Sequence, residues 1–239
     1  MKKLDDSPAT APVYLRKVQS FVRRKGRLTA AQERALTHTM PRYGVDLANG
    51  APGWDQVFGR QAPRIVEIGF GSGEALLAAA ANHPEIDFLG IEVYQSGVGR
   101  VLQAIEAQGI SNIRLICDDA VAVLTKHIAP QSLLRINIYF PDPWHKKRHH
   151  KRRLINPAFV QLATSRLAIN GLLHAATDWQ NYAEQILEVL NAEPLLENQA
   201  NDDGYLPRPD ERPLTRFERR GHARGHEVWD VLFKRRSND

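Results

Sequence analysis

One cysteine, Cys117, is all that the 239 residues contain. That excludes an internal disulfide framework and a cysteine-cluster zinc site, and it fits a reducing cytoplasm. Long apolar runs are missing as well. The longest, Ala75 to Ala81, falls far short of the ~18 residues that a membrane span requires. The opening MKKLDDSPAT carries charge but no apolar h-region, so no secretory signal is expected. Internal repeats and low-complexity tracts are absent. What is present is ordinary for a folded protein: 43% hydrophobic and 25% charged residues, in a length that suits one large domain or one domain with appendages. Acids are outnumbered, 27 against 32 Lys plus Arg, giving a net charge of +5 and a pI near 9.4, which suits a polyanionic partner. The excess is uneven, with 11 basic and 5 acidic side chains in residues 1–60 and six further cations between Lys146 and Arg153.

Residues 1–60 show no sustained hydrophobic period and contain Pro8, Pro12, Pro41 and Pro52 beside the basic residues Arg23, Arg24, Lys25 and Arg27. They are expected to form a partly mobile basic extension with one short helix after Thr29, and residues 61–239 the main domain. From Arg64 onward, strand-like and helix-like segments alternate. The strands are expected at Arg64–Ile68, Phe88–Val93, Ile113–Cys117, Leu134–Phe140 and Leu172–Ala176, with helices near Ala75–Ala81, Gly97–Ala107, Ala120–His127, Ala158–Ile169 and Tyr182–Leu190. Alternation of this kind implies parallel strands joined by right-handed helical crossovers, hence an α/β, doubly wound, mostly parallel sheet. The polar, Pro-rich segment Asn198–Pro213 reads as a surface loop, and His226–Phe233 as a last strand.

In such a sheet a ligand sits beyond the C-terminal strand ends. The first end reads Glu67-Ile68-Gly69-Phe70-Gly71-Ser72-Gly73-Glu74. Gly69, Gly71 and Gly73 permit a sharp turn and bare backbone against a ligand, although a tight strand-to-helix turn alone would also use them. Glu92 ends the second strand, where an acid accepts hydrogen bonds from ribose hydroxyls, and Asp119 ends the third. Acids around this loop would repel a pyrophosphate but suit a cation with an ammonium and a sulfonium, which favours S-adenosylmethionine over NAD.

After the fourth strand, Pro141 and Pro143 fix the backbone around Asp142 beside Trp144. Such a fixed carboxylate either stabilises charge that develops on a ring nitrogen during methyl transfer or orients an exocyclic amine and takes its proton. An Asp-Pro turn with an aromatic lid is the plainer alternative. His145 to Arg153 then supplies cations that attract phosphates, or a solvated charged face. His145 and His149 share a helical metal spacing, but surrounding cations oppose a metal ion and none is expected.

Taken in order, VEIGFGSGE, FLGIEV, CDDA, PDPWHKKRHHKRR, ATDW, TRFE and GHEVWD closely resemble the bacterial tRNA (guanine-N7)-methyltransferase family, over about residues 60–235. The resemblance implies a seven-stranded class I methyltransferase fold with S-adenosylmethionine as donor and S-adenosylhomocysteine as product. It also implies tRNA as partner, with the variable-loop guanine at position 46 as acceptor, and a cytoplasmic enzyme. Carried over by motif, Glu67, Gly69, Gly71, Gly73, Glu92, Asp119 and Asp142 would line the cofactor site, Asp142 being also catalytic. Asp119 is chosen over Asp118 because it directly precedes Ala120. Lys146, Asp178, Thr215, Arg216, Phe217 and Glu218 match substrate-contacting positions, and Arg148, His149, His150, Lys151, Arg152 and Arg153 an RNA-contacting run. Asp178 also reads as a helix N-cap before Trp179, and Thr215 to Glu218 as a capping box. The oligomeric state is left open, with a monomer favoured.

Overall fold

Short β-branched runs bounded by glycine and proline form strands, and the alanine- and leucine-rich runs between them form helices. The computed structural model describes residues 20–21, 26–48, 50, 52–201 and 204–237. Expectations for residues 1–19 and for Arg23, Arg24 and Lys25 lie outside the described residues. In chain order the elements are α1 (Ala30–His38), α2 (Met40–Tyr43), α3 (Trp54–Phe58), β1 (Arg64–Ile68), α4 (Glu74–Asn82), β2 (Asp87–Ile91), α5 (Gln95–Gln108), β3 (Ile113–Ile116) and α6 (Ala120–His127). They continue with β4 (Leu133–Tyr139), a 3-10 helix (Lys147–Arg152), α7 (Pro157–Arg166), β5 (Leu167–Thr177), α8 (Gln180–Asn191), β6 (Leu196–Asn198), α9 (Arg216–His222) and β7 (Trp229–Arg235). Among the described residues the strands make one seven-stranded sheet in the order β3-β2-β1-β4-β5-β7-β6. The first five strands pair in parallel, and β7 runs antiparallel between β5 and β6. This is the doubly wound, mostly parallel sheet expected from the alternation. The order reverses between β1 and β4, where such folds open a crevice at the strand ends.

Side chains alternate across the sheet, so each strand serves two cores. Val66, Ile68, Leu89, Ile91, Ile136 and Ile138 pack on one face with Val123 and Leu124 of α6, Phe159 of α7 and Ile186 of α8. Ile65, Phe88, Ile113 and Leu115 pack on the other with Leu76 of α4 and Val98, Val101 and Leu102 of α5. The second core also takes Ala35 and Tyr43, so α1 and α2 dock there. A full capping box between Thr29 and Gln32 starts α1, and the Gln32 amide donates to the Ser96 carbonyl at 3.0 Å. Next to it, Gly99 packs closely on Gln32, where an added Cβ would lie 3.0 Å from the Gln32 Cβ. The Trp54 indole in turn donates to the His127 carbonyl at 2.9 Å. No helix among the described residues is long and apolar enough to cross a membrane.

Several elements depart from expectation, α2 and α3 among them, since only one short helix after Thr29 is expected before Arg64. Helix α7 ends at Arg166 rather than Ile169, because Leu167 already pairs with Leu133 before a bulge that resumes at Leu172 opposite Arg135; Asn170 turns left-handed inside it, at φ 64°. The three-residue β6 starts just before the segment read as a loop. In line with the capping-box reading, Thr215 to Glu218 does open a helix, α9, with the Thr215 hydroxyl accepting from the Glu218 amide at 3.3 Å.

Gly73 fixes the start of α4. Its φ is +76°, and an added Cβ would lie 2.2 Å from Val101 Cγ2. Gly109, at φ +66°, has open space around the same position. Gly109→Ala is therefore expected to cost only the backbone strain, about 1–3 kcal/mol, and Gly73→Ala clearly more. Urea unfolding of the two variants compares them, and equal losses would mean that α5 yields freely.

Candidate active site

The three glycines between β1 and α4 all adopt positive φ, at 71°, 53° and 76° for Gly69, Gly71 and Gly73. Nothing lies within 4 Å of a Cβ built on Gly69 or Gly71, so this loop presents open backbone beside the N-terminus of α4. Glu92, at the end of β2, holds the loop in place. One carboxylate oxygen accepts from the Gly71 amide at 2.9 Å, and the other accepts from the Val93 amide at 2.7 Å and the Tyr94 amide at 3.1 Å. Three backbone donors thus hold the carboxylate in one orientation while it lines the crevice.

A cavity of about 290 Å³ opens at the strand ends, lined among others by Gly69, Glu92, Asp118, Asp119, Phe140 and Asp142, with Ile68, Ile91, Ala120 and Leu154 supplying apolar walls. Asp119 caps α6, accepting from the Val121 amide at 3.0 Å. Asp118 accepts from the Asp119 amide at 2.7 Å, so both neighbours contribute to the wall. Four acids on an apolar cavity suit a ligand that joins a flat apolar ring to a positive charge. Across the mouth, Phe140 and Trp144 stand at positive φ, 53° and 48°, a strained geometry typical of functional turns. Asp142 between them accepts from the Trp144 amide at 3.2 Å. The Trp144 indole donates to the Ser20 carbonyl at 3.1 Å, which sets Ser20 and Phe21 on the cavity wall.

The residues that the resemblance matches to substrate contacts lie as follows. The Arg216 amide donates to Glu74 at 2.5 Å, tying α9 to the first turn of α4. Phe217 is 55% exposed, and its ring lies 5.0 Å from that of Phe140. Asp178 does not cap α8, whose N-cap is Trp179; its carboxylate instead meets His226 Nδ1 at 3.3 Å. Glu218 faces inward, almost fully buried under Arg212. Lys146 is exposed at the start of the 3-10 helix, where Arg148 and Lys151 are also exposed. Arg152 lies over the Trp144 ring at 4.8 Å, and His149 meets that ring edge-on. Partial desolvation and then the cations Arg148, Arg152, Lys146 and Lys151 hold His149 below the usual imidazole value. Arg153, grouped by sequence with the RNA-facing run, is buried instead. Its guanidinium donates to the Pro143 carbonyl at 2.9 Å, to Gln185 at 2.6 Å and to the Asn181 side chain at 2.9 Å, so it pins the basic turn to α8.

Residues 61–231 match the family model described as a putative methyltransferase. A tRNA (guanine-N(7)-)-methyltransferase of Paraburkholderia xenovorans (strain LB400) is 54% identical over 232 residues, 97% of this chain and 88% of the relative. The protein of the same name from Burkholderia cenocepacia (strain HI2424) is 56% identical over 227 residues, covering 95% and 88%. The chain belongs to the tRNA (guanine-N(7)-)-methyltransferase family. Its fold is also that of the 16S rRNA methyltransferase KamB, with a TM-score of 0.57 at 13% identity over 77% of this chain and 93% of that one. TrmN from Thermus thermophilus aligns with a TM-score of 0.51 at 17% identity, over 85% and 48%.

In this methyltransferase, then, Gly69, Glu92, Asp119 and Asp142 come together as the motifs suggest, and Asp118 joins them. Ser20 and Phe21 had no sequence signal, since they lie far from any motif, and nothing in the sequence shows the left-handed backbone of Phe140. Glu67 is placed differently from the other acids. Alternation along β1 turns it to the α4 face with Ile65, into a separate cavity of about 220 Å³ with Arg135, Asn137, Tyr139 and Glu211. Burial pushes its carboxyl up to about 8, so it stays protonated in the folded chain at neutral pH. In the unfolded chain it ionises near 4.5. Its contribution to stability is therefore complete below pH 4.5 and is lost as pH rises toward 8, by at most about 1.4 kcal/mol for each step of one in pH. Glu67→Gln is expected to raise the unfolding free energy at pH 8.5 by a few kcal/mol and to change it little at pH 4.5. Urea titrations at both values check this, and a pH-independent difference would refute the assigned ionisation.

Proposed function

We propose that this enzyme transfers the methyl group of S-adenosylmethionine to N7 of the variable-loop guanine of tRNA, at position 46, in the cytoplasm. The observation that carries this reading is the placement of a cavity walled by Glu92, Asp118, Asp119 and Asp142 directly beside the basic turn Lys147–Arg152. An acid-lined crevice favours a cationic donor, while the exposed Lys146, Arg148 and Lys151 on its rim favour phosphates.

The donor supplies an electrophilic methyl on a positively charged sulfur, and S-adenosylhomocysteine is the product. The glycine loop offers backbone at Gly69 for close approach, and Glu92, which keeps that loop in one conformation, would accept hydrogen bonds from the donor's ribose hydroxyls. Guanine N7 already carries a free lone pair, so the methylating step removes no proton. Positive charge passes from sulfur to the purine. Asp142, held by its prolines and by the Trp144 amide, stabilises that charge from a fixed position and needs no reorganisation as it develops. Asp178, Thr215, Arg216 and Phe217 form the acceptor side, and Lys146 with the basic turn holds the RNA backbone.

Incubating the protein with labelled S-adenosylmethionine and unmodified tRNA is expected to yield label as 7-methylguanosine; label in another nucleoside, or binding without transfer, would overturn the assignment. Asp142→Asn is expected to lower turnover by about 100-fold or more and donor affinity far less, since three of the four wall acids remain for the donor while the charge that stabilises the transition state is lost. Equal losses in both would deny it that role. Neutralising Arg148 and Lys151 together is expected to weaken tRNA binding and to flatten the logarithmic salt slope by about 1–2. A filter-binding salt titration measures this, and an unchanged slope would make the run a merely solvated face.

A further inference from the structure

Alternation along β4, β5 and β7 puts Arg135, Tyr139, His174 and Asp230 on the sheet face opposite Ile136, Ile138 and Leu173. Such a polar layer inside a fold requires partners. It receives Arg212, delivered by the segment that leads into α9. Arg212 is 1% exposed, and it grips two carboxylates at once. Nη1 and Nη2 reach Glu218 at 2.6 and 2.8 Å, while Nε and Nη2 reach Asp230 at 2.7 and 2.8 Å. Asp230 also meets His174 Nε2 at 2.7 Å, and His174 Nδ1 takes Arg135 at 2.8 Å and the Tyr139 hydroxyl at 3.1 Å. Burial first, with Arg135 and Arg212 nearby, holds His174 below the usual imidazole value against the pull of Asp230. A neutral ring that donates through Nε2 and accepts at Nδ1 satisfies every partner. For Asp230, burial opposes ionisation, but the bonds from His174 and Arg212 outweigh it and hold the carboxylate below its ordinary value.

The cluster has a direct consequence for the cavity. Glu218 lies one residue after Phe217, whose exposed ring rests on Phe140, and Phe140 both lines the cavity and lies under the Arg212 guanidinium, 5.5 Å from it. An exposed aromatic ring resting on Phe140, which lines the cavity together with Asp142, has the geometry of a stacking platform for a base turned out of its strand. A buried Glu218 whose two oxygens both serve Arg212 has little left to offer a base. We infer that Arg212 is a positioning residue for methyl transfer: through Glu218 and Asp230 it fixes α9 so that Phe217 stands on Phe140 as the wall on which the acceptor base stacks, and Glu218 anchors that wall without contacting the base. This rests on the reading of the acceptor as a tRNA guanine.

A double-mutant cycle tests it, with the wild-type enzyme on unmodified tRNA as its starting point. Phe217→Leu is expected to lower kcat/KM for tRNA by about tenfold, the scale of one base–aromatic stack, and Phe217→Tyr to restore it. Donor affinity should stay within about twofold of wild type in both, because neither touches the acidic walls. Arg212→Lys should produce the same kinetic loss with the donor site intact, and the double variant should be no worse than the poorer single variant by more than about twofold. Losses that multiply, or a Phe217→Leu enzyme with wild-type kinetics, would overturn the inference. If Arg212→Lys does not fold, Glu218→Gln replaces it in the cycle. Its preference for a guanine over an inosine acceptor must then match wild type, since a selective loss of that preference would mean that Glu218 reads the 2-amino group. Absence of 7-methylguanosine with the wild-type enzyme would instead remove the functional reading itself.

Discussion

Parallel pairing of β1, β2, β3 and β4 is the constraint from which the site follows. Parallel strands deliver their C-terminal ends to one edge, so any residue just beyond a strand meets those beyond its neighbours. Glu92, Asp118, Asp119 and Asp142 are separated by long stretches of sequence and become one wall for that reason alone. The β1–β4 reversal opens space between them, and the left-handed glycine turn keeps that space free of side chains. Glu92 then couples the two requirements, since the carboxylate that faces the crevice also bonds the amide that shapes the loop.

The same sheet treats its two faces unequally. One face is covered by aliphatic side chains from α6, α7 and α8, whereas on the other the strands beyond β1 turn arginine, tyrosine, histidine and aspartate inward. Burying these groups singly would be costly, and a guanidinium shared by two carboxylates with a neutral histidine satisfies them together. Replacing such a cluster by apolar residues is often neutral or stabilising, so stability by itself gives little reason for it. Fixing α9 against Phe140 is a function that an apolar plug, which lacks direction, would perform less well.

Much of this was legible in the sequence. Strong alternation of β-branched and helical runs gave the parallel sheet, and the acids that follow those runs gave the cavity walls, because both depend on local pattern and on strand ends. The rest depends on side-chain direction and long-range pairing. Nothing in VEIGFGSGE says that Glu67 points away from the crevice until the sheet assigns alternate residues to opposite faces. Arg153 looks identical to its five basic neighbours, yet two of the side chains that accept from it come from α8, about thirty residues later in the chain. Thr215 to Glu218 did carry a helix-start signal, but only half of the expected box forms. The Thr215 hydroxyl accepts from Glu218, while the Glu218 carboxylate turns to Arg212 rather than back to the Thr215 amide. Thr29 and Gln32 complete both halves of their box because no buried arginine competes for Gln32.

Acid wall and basic rim also constrain each other. An anionic crevice would repel the phosphates of a polynucleotide if it faced them directly, and cations inside the crevice would cancel the field of its acids. Separation by a turn resolves both, because screening confines surface fields to roughly 8 Å at physiological salt. Trp144 marks the boundary. Its amide bonds Asp142 on the acidic side, and its ring carries Arg152 on the basic side. His149 against the same ring is held below the usual imidazole value by desolvation and by the cations around it. The left-handed residues Phe140 and Trp144 bracket Asp142, so the strained part of the turn is the part that presents the carboxylate to the crevice.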